Sequence, residues 1–131
     1  MMKFAYSIMY VLDVQKALNF YQAVCGLEVR FLHESQQYAE MHTGGTTLAF
    51  VSEAFMESQS MVFRPNRQNE VPGGYEISFM TDDIDGACKA ALAAGALVVH
   101  PPEEKPWGQR VAYVRDPNGV LVQFCTAVVS S

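Results

Sequence analysis

Gln123 is the only polar residue in the strand-like run GVLVQFC, residues 119 to 125. Successive side chains of a strand face opposite ways. Gln123 therefore shares a face with Leu121 and Cys125, while Val122 and Phe124 face the other way. In YEISFM, residues 75 to 80, Glu76 shares a face with Ser78 and Met80, opposite Ile77 and Phe79. An amide can orient a ligand through its oxygen and its nitrogen. A carboxylate can accept a hydrogen bond from a cationic or hydroxylated ligand, or act as a general base where burial raises its pKa. Trp107 is a candidate stacking wall and Arg110 a candidate partner for an anion. Phe50, Phe55 and Phe63 are candidates to line or close a pocket. For each, structural packing or a solvated surface is the competing expectation.

Other reactive residues form no recognisable constellation. His33, His42 and His100 make no HxH or HExxH pair, and surface or hydrogen-bonded histidines are expected. Cys25, Cys88 and Cys125 are odd in number and far apart, which is neither a disulfide framework nor a CxxC zinc pattern. Cys25 and Cys88 fall in helical patterns, where a buried thiol is the ordinary outcome. A reducing cytoplasm is the expected compartment. Nucleophile elbows, phosphate loops and dinucleotide glycine motifs do not occur. The net charge of -5, with Lys and Arg scattered singly, argues against nucleic acid or an anionic membrane as partner. The N-terminal MMKFAYSIMYVLD lacks a small-residue cleavage site and reads as a strand rather than a signal peptide. No apolar run approaches the roughly 20 residues needed to span a bilayer.

The elements that must position these residues occur twice. FAYSIMYV, residues 4 to 11, reads as a strand, and Asp13 is placed to cap a helix. Val14, Ala17, Leu18, Tyr21 and Cys25 then fall on one helical face, and Gly26 ends it. Three strand-like runs follow, LEVRFLHE, QYAEMHT and TTLAFVS, the last two joined at Gly44-Gly45. The second half repeats this order. YEISFM precedes Asp83, a helix with Ile84, Ala87, Cys88 and Ala91 on one face, and Gly95. Then come ALVVHP, GQRVAYV and GVLVQFC, with a type I turn expected at Asp116-Pro117-Asn118-Gly119. Asp13 and Asp83 mark a 70-residue offset, so the chain is a tandem βαβββ repeat. We expect an α+β domain over 1–131: module one at 3–53, a linker or lid at 54–73, and module two at 74–128. Each helix covers one sheet face. The other must meet a second unit, a second chain or a ligand, and two half-open sheets imply a concave cavity. Alternation places Tyr6 there with Phe4 and Ile8, beside Glu76 and Gln123. Such a surface suits an aromatic or drug-sized organic molecule.

The runs YVLDVQKALNFYQAVCGLEV and PWGQRVAYVRDPNGVLVQF resemble the vicinal oxygen chelate superfamily, which includes glyoxalases, extradiol dioxygenases and bleomycin resistance proteins. The resemblance implies paired βαβββ modules curling into a half-barrel, with a pocket often completed across a homodimer. It implies metal ligands, in metal-dependent members, on the first and fourth strands of each module. Those positions fall here on Tyr6, Ala49, Glu76 and Gln123. Metal-dependent members carry mainly His and Glu there. Alanine supplies no donor, a phenol must lose its proton, and a glutamine oxygen is neutral, so no cofactor is expected and a divalent metal is the alternative. The expectation is a metal-independent small-molecule-binding protein, holding an aromatic or cationic compound or antibiotic. The alternative is a lactoylglutathione-lyase-like or dioxygenase-like enzyme using Glu76 as metal ligand or general base.

Overall fold

The computed structural model describes residues 1–128; the last three of the expected 1–131 domain lie outside the described residues. The chain divides into two compact units, Met1–Pro65 and a second beginning at Asn66.

Unit one contains β1 (Tyr6–Val11), α1 (Val14–Cys25), β2 (Val29–Leu32), β3 (Tyr38–Met41), β4 (Thr47–Ser52) and α2 (Glu53–Ser58). Its sheet order is β1-β4-β3-β2. β1 runs parallel to β4, and the remaining neighbours are antiparallel. The chain therefore leaves β1 at one edge and must reach β2 at the other. A parallel return needs a crossover, and α1 supplies it, packing on β3 and β4. Asp13 caps α1 as expected: its Oδ1 accepts from the Lys16 N–H at 3.0 Å. Gly26 closes it in the left-handed region at φ 66°. Val14, Ala17, Leu18, Phe20 and Tyr21 are buried.

Unit two repeats the plan with β5 (Glu76–Met80), α3 (Ile84–Ala93), β6 (Leu97–Glu104), β7 (Arg110–Arg115) and β8 (Leu121–Cys125). The order is β5-β8-β7-β6, with β5 parallel to β8. Asp83 caps α3, its Oδ1 accepting from the Gly86 N–H at 2.9 Å. Pro101 and Pro102 lie in β6, an edge strand, where missing ladder donors are tolerated.

The segment between the modules differs from a structureless linker. Ser52 caps α2, its hydroxyl accepting from the Phe55 N–H. Phe63 meets the Tyr10 ring edge-to-face at 4.9 Å. Past the boundary, Gln68 Nε2 donates to the carbonyls of Gly95 and Asp116. The Arg115 guanidinium donates to the carbonyls of Arg67, Gln68 and Gly119.

That clamp explains the β7–β8 turn. The Gly119 N–H donates to the Asp116 carbonyl at 2.8 Å. Asp116 Oδ1 also accepts from the N–H groups of Asn118 and Val120. Gly119 sits at φ 92°, and an added Cβ would overlap the Arg67 carbonyl. A Gly119→Ala substitution should therefore cost about 1–3 kcal/mol in urea unfolding. Gly45→Ala, whose methyl meets nothing within 4 Å, should stay within about 0.5 kcal/mol of the parent.

Candidate functional site

Register separates the expected site residues by face. In unit one, Ala49 lies between Ile8 of β1 and Glu40 of β3, and Tyr6 is opposite Thr47. These residues share the face away from α1. In unit two, Glu76 is opposite Leu121, and Gln123 lies between Ser78 and Tyr113, on the face away from α3. The helix-side faces carry the buried apolar set, Met9, Val11, Leu48 and Phe50 in one unit and Ala112, Val114, Val122 and Phe124 in the other.

Two expected residues fall on the wrong side. Phe50 is fully buried and stacks on Tyr21 of α1, ring centroids 5.4 Å apart. It is adjacent to Ala49, so alternation sends it to the helix. Arg110 pairs with Asp85 in the first turn of α3 at 3.1 Å, on the opposite face from Tyr113 and Gln123. Trp107 sits in the β6–β7 turn and is exposed rather than packed. Its indole N–H donates to Gln109 Oε1 at 2.8 Å, which leaves the ring faces available for stacking. Tyr6 is half exposed. Glu76 is exposed, and no hydrogen bond or ion pair engages it among the described residues.

Gln123 is already committed. Its Oε1 accepts from the Ser78 hydroxyl at 2.5 Å, and its Nε2 donates to the Tyr113 hydroxyl at 2.9 Å. Ser78 Oγ also meets Cys125 Sγ at 3.4 Å. Three strands are thus laced by one amide, and the Tyr113 oxygen acts there as a hydrogen-bond acceptor.

Unit one holds a polar cluster that sequence reasoning missed. Glu40 Oε2 accepts from the Tyr38 hydroxyl at 2.7 Å, and Oε1 accepts from Arg30 at 2.8 Å. Arg30 also donates to Thr47 Oγ1 at 2.8 Å. Both partners, Tyr38 first and then Arg30, hold the Glu40 carboxyl below the ordinary carboxylate range. Burial, reinforced by Glu40, pushes the Tyr38 phenol well up. The ladder shifts register between Val29 and Phe31, so that Phe31 pairs with Glu40 beside Arg30. The alternation of QYAEM could have flagged Tyr38 and Glu40; a bulge leaves no comparable mark in sequence. Cys25 is no reactive thiol, because burial pushes it up to about 12. Cys88 is likewise raised, by burial and then by Asp85.

Taken unit by unit, the positions that the resemblance implies as metal ligands carry a phenol and an alanine in one, and a free carboxylate and an amide oxygen engaged by a serine in the other. Neither pair fits a divalent ion, which takes several His, Cys or carboxylate donors. Among the described residues, no group of three or more His, Cys, Asp and Glu could hold one. No helix among them is long and apolar enough to cross a membrane.

The chain belongs to the Glyoxalase/Bleomycin resistance protein/Dioxygenase superfamily, whose model matches residues 3–124. It is 29% identical over 120 residues to a probable lactoylglutathione lyase of Vibrio cholerae, covering 86% of this chain and 81% of that one. It is 25% identical over 113 residues to the uncharacterized protein YraH of Bacillus subtilis, covering 86% and 88% respectively. A glyoxalase-related enzyme from Fulvimarina pelagi superposes with a TM-score of 0.82 at 18% identity, over 97% of this chain and 89% of that one. The fold is thus α+β, two four-stranded mixed sheets of the glyoxalase type.

Substitution separates packing from site roles. Phe50→Ala should cost about 3–5 kcal/mol in chemical denaturation. Arg110→Ala, breaking an exposed pair, should cost under about 1 kcal/mol. Acid titration tests the Glu40 cluster. Because the folded-state pKa is depressed, its stabilisation is present above the ordinary carboxylate pKa and is lost as pH falls through the folded value. Glu40→Gln should flatten that acid limb in thermal melts; an unchanged limb would remove the cluster from the account.

Proposed function

We propose that the protein binds a small organic compound, aromatic or cationic, without a metal. The donor set at the family's metal positions carries this reading: Ala49 brings nothing, and the Gln123 oxygen is occupied by Ser78. What remains suits an organic ligand. Tyr6, Ile8 and Met80 present exposed apolar surface away from the helices. Glu76 offers an unpaired carboxylate to a cation, and the total charge of -5 favours the same sign of ligand. We further propose a homodimer, since exposed apolar side chains of this kind suit association, and a cytoplasmic location, which fits three free thiols.

A lyase reading is the alternative, supported by the name of the Vibrio cholerae relative and by the free carboxylate of Glu76. In that case Glu76→Gln would abolish turnover of a glutathione-derived substrate.

Equilibrium dialysis against aromatic antibiotics and metabolites, with EDTA present, tests the primary reading. It predicts a micromolar binder whose affinity EDTA leaves unchanged. For a cationic binder, Glu76→Gln should weaken binding by about 5- to 10-fold, the effect of losing one charge-assisted contact. Absence of any micromolar binder, or affinity that vanishes with EDTA, would contradict it.

A further inference from the structure

A polar row crosses the full width of the sheet in unit two. Ser78 of β5, Gln123 of β8, Tyr113 of β7 and His100 of β6 are partners in register, strand by strand. Residues directly opposite in a sheet share a face, so all four lie with Gln123 on the face away from α3. Ser78 and His100 are exposed, and Gln123 and Tyr113 are half-buried. Solvent therefore reaches the row at both ends.

The hydrogen bonds of the row run one way. The Ser78 hydroxyl donates to Gln123 Oε1 at 2.5 Å, and Gln123 Nε2 donates to the Tyr113 oxygen at 2.9 Å. Ser78 gives its single proton to the amide, so the Cys125 thiol, 3.4 Å away, is the donor on its other side. Each group that accepts in such a chain becomes a better donor. Tyr113 ends the chain. Its hydroxyl has a proton of its own, and no acceptor among the described residues takes it. The His100 ring stands edge-on beside it, centroids 6.0 Å apart, with no hydrogen bond between them.

Ser78 sets that direction. An amide presents an acceptor at one end and donors at the other. With Oε1 held by Ser78, Nε2 is the atom that meets Tyr113. A flipped amide would turn its oxygen to Tyr113 and consume the phenol proton. Ser78 is thus a positioning residue, acting through Gln123.

Glu76 is on the same face. It lies two residues along β5 from Ser78, and Ser78 is two strands from Tyr113. At sheet spacing the Cα atoms of Glu76 and Tyr113 are about 12 Å apart. One surface of one unit thus carries a free carboxylate and a free hydroxyl proton at a separation that a small organic molecule spans.

We propose that Tyr113 donates its hydroxyl proton to a carbonyl oxygen of the ligand, so that the compound bound on this face is an organic cation with a carbonyl group at the end remote from its charge. The inference rests on the metal-free binding function proposed above and adds what the ligand must carry.

Amide-resolved NMR titration of the full chain with a matched pair of amines tests it. Para-acetylbenzylamine carries a cation and a carbonyl; para-ethylbenzylamine has a methylene in place of the carbonyl. Both should shift the Ser78, Tyr113 and Gln123 amides saturably, with the acetyl compound binding about fivefold tighter. Tyr113→Phe should bring that ratio to about one and leave the ethyl compound within about twofold of its parent affinity. Ser78→Ala should bring the ratio below about two, and Ser78→Thr, which keeps the hydroxyl, should restore it. Glu76→Gln should weaken both amines alike. A parent ratio near one, or a ratio that survives Tyr113→Phe, would overturn the inference and leave the metal-free binding reading intact. A ratio that survives Ser78→Ala would overturn the directional chain. Binding of neither amine up to about 10 mM would overturn the inference together with the cationic form of the function it rests on.

Discussion

The parallel pairing of first and last strands within each module, β1 with β4 and β5 with β8, constrains everything else. It forces a single helix to carry the chain across the sheet, and one helix can cover only one face. Apolar side chains collect under it. Whatever alternates to the other face is left to meet something else. The separate fates of neighbours follow from this, Ala49 against Phe50 and Tyr113 against Ala112, one residue apart and on opposite sides of a sheet.

Each uncovered face carries one polar network joined internally. In unit one a single carboxylate, Glu40, is saturated by Tyr38 and Arg30. In unit two an amide joins three strands. By the repeat, Glu40 and Tyr113 occupy corresponding positions, each opposite the residue at a family metal position, Ala49 or Gln123. The same backbone site thus carries an acceptor in one unit and a hydroxyl in the other. These half-buried polar networks hold their side chains in fixed orientations. They also leave few lone pairs for an ion. Glu76 stands outside both networks, which leaves its carboxylate free to meet a ligand.

Much of this was legible because it is local. Asp13 and Asp83 announce helix starts, Gly26 an end, and Asp116-Pro117-Asn118-Gly119 a turn; all four behave as their chemistry dictates. Alternation also placed Tyr6, Glu76 and Gln123 away from the helices, and the family resemblance pointed to Ala49. Phe50 was misplaced against that same rule, since it cannot share a face with its neighbour Ala49. Arg110 was misplaced because a strand's first residue has little pattern around it. The helix α2 has a capping serine and too few residues for a period. Contacts such as Arg115 with the Arg67 carbonyl, or Arg30 with Glu40 across a bulge, depend on register and tertiary approach. No spacing in the sequence encodes them.

The central proposal is that, Glu76 aside, the polar side chains that the two networks join away from the helices engage one another, leaving a surface for an organic guest and no grip for an ion. Native mass spectrometry of the full chain, after incubation with excess nickel, zinc or ferrous iron and buffer exchange, addresses it directly. The account predicts the mass of the polypeptide without a stoichiometric metal. One tightly retained metal per chain, lost on substituting Glu76 and Gln123, would contradict it.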